Sequence, residues 1–122
     1  MALGTVTKVQ KGGRSIDFAD GDRKVAFRDV QVSSGANYTT GGETLNPADF
    51  GLREIWCVEP MGPALSTAAS TTFQVGFNYT TGKLMAFGQN ATPGAAVAQP
   101  QVTSNTNLST FVVRLRVEGR AA

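Results

Sequence analysis

The sequence predicts an all-β protein, an antiparallel β-sandwich of jelly-roll type with one short helical turn and a long loop or arm. Glycine is abundant, at 14 of 122 residues, against a usual share of about 7%, which suits many short strands joined by turns. In several segments apolar residues alternate with polar ones at the two-residue period of a strand. The chain shows no heptads and no alternation of strand with helix. A partly open barrel is the second architecture that fits.

The pentapeptide Asn-Tyr-Thr-Thr-Gly occurs twice, at 37–41 and at 78–82, in different surroundings. Glycine takes the positive φ of a tight turn, and Asn and Thr side chains bond locally to the backbone. The repeat therefore indicates reused turn chemistry and not a duplicated domain. A chain of this length buries about two-thirds of its unfolded surface, so we expect one domain spanning residues 1–122.

The first predicted element is a hairpin in the N-terminal third. Ile16 and Phe18 alternate with polar residues before the turn, and Val25 and Phe27 do so after it. A four-residue loop, 20–23, places Phe18 opposite Val25 and Ile16 opposite Phe27. A two-residue loop would pair Phe18 with a charged residue, so we favour the longer loop.

Beyond Phe27 the apolar phase changes, because the next apolar residues are Val30 and Val32. A change of phase within one run of strand predicts a bulge near Arg28 and Asp29, or a change of sheet.

The segment from Asn46 to Gly51 predicts one helical turn. Asn46 is a suitable N-cap, Pro47 suits the first helical position and Gly51 suits the stop. A strand is expected to follow over 53–59. Its apolar run contains Trp56, the only tryptophan, and Cys57, the only cysteine. We expect both in the core, with the thiol buried and inert.

The most regular strand pattern is an alternation of apolar with polar residues at Phe73, Val75, Phe77 and Tyr79. The second pentapeptide then supplies a turn. A three-residue loop, 80–82, with glycine in the left-handed position aligns Phe77 with Met85 and Val75 with Phe87. We expect this hairpin to be part of the core.

The C-terminal third predicts an arm and a strand. Residues 88–106 hold few apolar positions among Gln, Asn, Thr, Ala, Pro and Gly, which indicates a long loop or arm without regular structure. The chain then closes on a strand with a polar outer face, whose apolar positions are Phe111, Val113, Leu115 and Val117.

Composition argues against an enzyme. The chain contains no histidine, which removes the commonest general base and metal ligand, and we expect no cofactor and no metal. The carboxylates Asp20 and Asp22 lie in one predicted turn, and Glu54 and Glu59 flank one strand, where solvated charges are commoner than an acid and base pair. No segment has the length and apolarity of a membrane span, and the N-terminal stretch lacks the features of a signal peptide. We therefore expect a soluble chain made in the cytosol.

The distribution of charge indicates the kind of partner. A net charge of +2 is too small to predict nucleic-acid binding. Six cationic residues precede Val30, whereas the tract 60–113 holds a single charged residue, Lys83. Such an uncharged tract suggests contact with other subunits. A hydrated, neutral loop surface is the alternative.

The segment 38–52, Tyr-Thr-Thr-Gly-Gly-Glu-Thr-Leu-Asn-Pro-Ala-Asp-Phe-Gly-Leu, precedes a predicted strand, and Tyr-Thr-Thr-Gly-Lys-Leu follows at 79–84. With the closing apolar strand, these segments resemble small virion proteins of tailed bacteriophages, over about half the chain. The resemblance implies a capsid decoration, or cement, protein, commonly a trimer, on the exterior of the virion capsid after synthesis in the host cytoplasm. The implied partner is the major capsid protein.

Two segments are candidates for capsid contact under that resemblance. The basic N-terminal region, with Lys8, Lys11 and Arg14, would meet acidic capsid loops, and the arm 88–106 would reach a neighbour. The alternative function is a receptor- or glycan-binding β module of a phage fibre or spike, which the expected burial of Trp56 disfavours. An enzyme ranks third.

Overall fold

The structure, a computed structural model, describes residues 3–33, 38–39, 41–66, 72–88, 102 and 107–122. Within these residues ten strands and one 3-10 helix follow along the chain. The strands are β1 (Val6–Lys8), β2 (Gln10–Lys11), β3 (Arg14–Ser15), β4 (Phe18–Asp20), β5 (Arg23–Gln31), β6 (Glu43–Thr44), β7 (Leu52–Pro60), β8 (Gln74–Asn78), β9 (Lys83–Phe87) and β10 (Val112–Ala121), and the helix is Pro47–Phe50. All strand pairs are antiparallel, which confirms the all-β class.

The largest sheet has five strands, built around β5 and β10. Strands β1 and β4 both pair with one edge of β5, β10 pairs with its other edge, and β7 lies beyond β10. A second sheet has the order β6-β9-β8, and β2 and β3 form a separate hairpin. Side chains of β5, β7, β9 and β10 belong to one hydrophobic cluster, so the two larger sheets share a core.

The closing strand behaves as predicted. Val113, Leu115 and Val117 are buried, while Arg114 between them is exposed. The two-residue alternation places the apolar side chains on the core face and the arginines on the outer face.

The predicted bulge near Arg28 and Asp29 is absent, and so is the alternative change of sheet, because β5 stays in the five-stranded sheet throughout. The register between β5 and β10 runs without a shift from Val112↔Gln31 to Arg120↔Arg23. The apolar phase changes because Arg28 occupies a core-facing position between Ala26 and Val30 and is only 1% exposed. A buried arginine breaks the apolar pattern without breaking the strand.

The first hairpin is partly as predicted. Phe18 pairs with Val25, but the ladder continues to Asp20↔Arg23, so the loop has two residues and not four. Ile16 does not pair with Phe27, because the Ile16 N–H donates to the carbonyl of Val9. Phe18 is 54% exposed, since β4 is an edge strand.

The second hairpin is shifted by one residue from the prediction. Phe77 pairs with Leu84 and Val75 with Ala86, so Leu84 and Ala86 face the core and Met85 turns outward. The cause is a four-residue turn, 79–82, in which the side chain of Asn78 accepts from the N–H groups of Thr80 and Thr81. One extra loop residue reverses the face of every side chain on β9.

The helical turn is confirmed. Asn46 Oδ1 accepts from Ala48 N–H at 3.1 Å, and Gly51 adopts a left-handed conformation at φ 69°. The strand that follows is also present as β7.

The expected burial of Trp56 is wrong. The register between β10 and β7 shifts after Glu118↔Cys57 to Gly119↔Ile55, which makes Trp56 the extra residue of a bulge. Its side chain is 43% exposed. Cys57 is half-buried and not fully buried.

Most of the predicted arm 88–106 lies outside the described residues. Of its positions the structure describes Gly88 and Val102, and the Val102 N–H donates to the carbonyl of Ala86 at 2.9 Å. Among the described residues no helix is long and apolar enough to cross a membrane.

Candidate functional site

A short basic hairpin leaves the edge of the five-stranded sheet between β1 and β4. Its strands pair Gln10 with Ser15 and Lys11 with Arg14. Gly12 and Gly13 form the turn at φ 59° and 77°, and both positive values define a type I′ turn, which matches the twist of a two-stranded ribbon. The prediction did not include this hairpin, although the Gly-Gly dipeptide was its signal.

The three predicted contact residues come together on this hairpin and at its base. Lys11 and Arg14 face each other across the turn, and Lys8 ends β1 two residues before β2 begins. All three are exposed. Within the described residues, which include all nine carboxylate side chains, none of the three cations forms an ion pair.

Most other arginines are neutralised by pairing. The pairs are Arg23–Glu118, Arg28–Asp17, Arg114–Asp29, Arg116–Glu59, Arg116–Glu118 and Arg120–Glu54, at 2.7 to 3.9 Å. The hydrogen bond with Asp29 and the charge of that carboxylate raise the pKa of the Arg114 guanidinium above its ordinary value. Exposed pairs of this kind contribute little stability, but they cancel charge on the outer face of the sheet. The hairpin is therefore left as a concentrated positive surface.

A buried ion pair holds the base of the hairpin. Arg28 Nη1 donates to both carboxylate oxygens of Asp17, at 2.8 and 2.7 Å, and Asp17 Oδ1 also accepts from Phe27 N–H. Arg28 further donates to the backbone carbonyls of Phe27 and Asp49. Because Asp17 lies between β3 and β4, this network fixes where the hairpin rejoins the sheet. Sequence patterns missed it, since a lone arginine in a strand usually indicates an exposed position.

An apolar patch lies at one end of β10. Leu65 pairs with Val112, and Met61 N–H donates to the carbonyl of Arg114. These three apolar side chains are 56%, 42% and 53% exposed. All belong to the uncharged tract 60–113, which gives that tract a surface suited to contact with another subunit.

The outer face of the three-stranded sheet carries a shallow depression of about 460 Å³. Gly76, Tyr79, Met85 and Phe87 are among the residues that line it. No charged side chain contributes to its lining. This depression also lies in the uncharged tract.

The exposed indole of Trp56 is held in place by a neighbour on the same strand. Its Nε1–H donates to Glu54 Oε1 at 2.7 Å. The Cys57 thiol lies 3.9 Å from the hydroxyl of Tyr79. Among the described residues, no three Cys, Asp or Glu side chains are close enough together to hold a metal ion.

Comparison with known protein families, with curated proteins and with solved structures found no match for this chain.

Proposed function

We propose that this chain is a structural virion protein, a tailed-bacteriophage capsid decoration protein that binds the outer surface of the head and stabilises it by bridging capsid subunits. The basic hairpin carries the proposal: three unpaired cations project from a protein whose other arginines are mostly paired. Such a surface is complementary to acidic loops on a large partner, and exposed charges of one sign speed association. The proposed partner is the major capsid protein, and no reacting group is needed.

The proposed architecture is a jelly roll. Its support is the nesting of strand pairs, in which β5 pairs with β10 and, inside that pair, β6 pairs with β9. The chain passes from one sheet to the other at each step from β5 to β8. A long antiparallel hairpin that rolls up over its own core produces this nesting.

We propose a homotrimer on the exterior of the capsid, with the uncharged tract as the subunit contact. Symmetry repeats each weak contact, and linked sites bind far more tightly than single ones. A ligand that binds only the assembled head also stabilises it by mass action. The apolar patch of Met61, Leu65 and Val112 supports this part of the proposal.

Binding to empty heads tests the function. The heads are empty capsids assembled from the major capsid protein of the phage that encodes this chain, and bound protein is measured by co-sedimentation. We expect occupancy to fall as salt rises, because exposed charges are screened over about 8–10 Å near physiological ionic strength. The double reversal Lys11→Glu with Arg14→Glu lowers occupancy. The matched single reversals are Arg14→Glu, which lowers occupancy, and Arg53→Glu, which changes net charge equally at an exposed position outside the hairpin and the uncharged tract and leaves occupancy unchanged. A wild-type protein that does not sediment with heads contradicts the proposal.

The exposure of Trp56 favours a second candidate, a receptor- or glycan-binding module of a fibre or spike. An exposed indole held by a carboxylate presents an apolar face with a polar edge, as carbohydrate and protein surfaces require. If the wild type binds glycans on an array and Trp56→Ala does not, the result supports this candidate. Head binding that persists in Trp56→Ala supports the decoration function instead.

A further inference from the structure

A depression of about 290 Å³ lies at the base of the basic hairpin. It separates the end of β1 from β3 and β4. Its lining residues are Lys8, Ser15, Asp17, Phe18, Ala19 and Lys24. Lys8 is one of the three unpaired cations and Ser15 belongs to the hairpin, so the depression is continuous with the basic surface.

Phe18 gives this depression an apolar wall. Its side chain is 54% exposed, although its cross-strand partner Val25 is fully buried. Among the described residues no aromatic ring packs against it. Exposed aromatic side chains beside a concave surface are the usual anchors of protein interfaces.

Cationic residues outnumber carboxylates in the lining of the depression, which includes Lys8 and Lys24 but only one carboxylate, that of Asp17. Both oxygens of Asp17 are bound by the buried guanidinium of Arg28, so that charge is compensated inside the protein. Lys24 also lines the depression, and its ammonium lies close to Gly51, where an added Cβ would collide with it. Lys8 therefore faces the depression uncompensated, with Lys11 and Arg14 beside it.

We infer that this depression is a docking site for an acidic peptide segment that carries one large apolar side chain. The apolar side chain packs on Phe18, and the flanking carboxylates meet Lys8, Lys11 and Arg14. The inference rests on the proposed function and names the part of the partner that is recognised. A single-stranded nucleic acid suits the site less, because such ligands stack successive bases on several aromatic side chains, and Phe18 is the one aromatic residue in this lining.

The direct test uses defined probes and the full-length protein. The first probe is a short peptide with one leucine flanked by glutamates, and the second has serine in place of leucine. An oligothymidylate of equal charge is the third. Binding is measured by fluorescence anisotropy. We expect the leucine peptide to bind best, and Phe18→Ser to weaken it about tenfold, as loss of an anchor residue does. The serine peptide binds equally to both proteins.

Matched variants separate docking from general effects. Lys8→Glu weakens the binding of both peptides. Arg53→Glu makes the same change of charge on the opposite edge of the sheet and weakens the binding of neither. Trp56→Ser removes an exposed aromatic side chain on the opposite edge of the sheet and leaves binding unchanged. Equal binding of the leucine peptide to wild type and Phe18→Ser overturns the inference, and so does tighter binding of the oligothymidylate.

Head binding by Phe18→Ser distinguishes the two proposals. If the wild type and Phe18→Ser bind heads equally well, the docking site is contradicted. The decoration function is then unaffected. If the wild type binds the leucine peptide through Phe18 but does not bind heads, the decoration function is contradicted. The docking site is then unaffected.

Discussion

The hydroxyl of Tyr79 binds both backbone groups of Val58: it accepts from the N–H at 3.1 Å and donates to the carbonyl at 3.2 Å. Val58 lies on β7, at the edge of the five-stranded sheet, where unpaired backbone groups invite association with other chains. Tyr38, in the first pentapeptide, similarly accepts from Ala86 N–H on β9 at 3.0 Å. The repeated pentapeptide therefore supplies a tyrosine that satisfies the backbone of a strand, in addition to a turn.

The two tyrosines predict unequal costs of losing a hydroxyl. Tyr38 is 1% exposed, so Tyr38→Phe leaves Ala86 N–H without its partner where water has little access. We expect a loss of about 1–3 kcal/mol of unfolding free energy for Tyr38→Phe and about 0.5–1.5 kcal/mol for Tyr79→Phe, whose partner groups can be hydrated. Urea unfolding followed by Trp56 fluorescence measures both. A larger cost at Tyr79 would contradict the burial argument.

The buried pair of Arg28 and Asp17 predicts strong coupling. Arg28→Met strands a carboxylate in the interior and should cost about 3–5 kcal/mol. Asp17→Asn keeps an acceptor for Phe27 N–H while removing the charge. The double variant should therefore be more stable than Arg28→Met alone. Strictly additive costs in thermal melts would show that the two groups do not interact.

The register of β8 with β9 predicts opposite results for adjacent residues. Leu84 is fully buried, so Leu84→Asp places an unpaired charge in the core at a cost of several kcal/mol, against a total stability of about 5–15 kcal/mol. Met85 faces outward, so Met85→Asp should remain folded. Circular dichroism and thermal melts distinguish the two. If Met85→Asp unfolded and Leu84→Asp stayed folded, the result would favour the register in which Phe77 pairs with Met85.

A close approach of two backbones predicts that Gly119 tolerates no side chain. A Cβ there would overlap the carbonyl oxygen of Glu54 on β7. Gly119→Ala should force β7 and β10 apart and cost about 1–3 kcal/mol. The control is Gly76→Ala, whose Cβ would lie at an ordinary 3.7 Å from the ring of Phe87. Equal melting temperatures for the two variants would contradict the tight packing at the bulge.

The uncharged tract predicts self-association. We expect a concentration-dependent oligomer, a trimer, in analytical ultracentrifugation at micromolar concentration. Leu65→Asp should shift it toward monomer, because a charge in an apolar contact is desolvated without a partner. Gln10→Asp introduces the same charge at an exposed position outside the tract and should not. If the wild type stays monomeric in solution, the free protein does not form this contact. The oligomeric state of the protein bound to heads then tests whether the contact forms on the capsid.

Local chemistry explains what could be predicted of the fold and site. The helical turn follows from Asn46, Pro47 and Gly51, whose preferences act within a few residues. The alternation of β10 follows from a strand with one face in the core. Lys8, Lys11 and Arg14 were identifiable as a cluster because they are close in sequence. Their gathering on a hairpin is what the fold adds, and their contact with a capsid stays a prediction.

The sequence by itself determined the strand-rich class, the turns and the positions of most charges, because these depend on neighbouring residues. Only the tertiary structure decided which charges are free. Arg28 is buried because Asp17, eleven residues away, meets it across the sheet, and Trp56 is exposed because β10 shifts its register on β7. The one extra residue in the turn between β8 and β9 likewise sets the register that buries Leu84 instead of Met85. Each of these outcomes depends on a segment that lies elsewhere in the sequence. The residues next to a position in the sequence do not show which distant segment will pair with it.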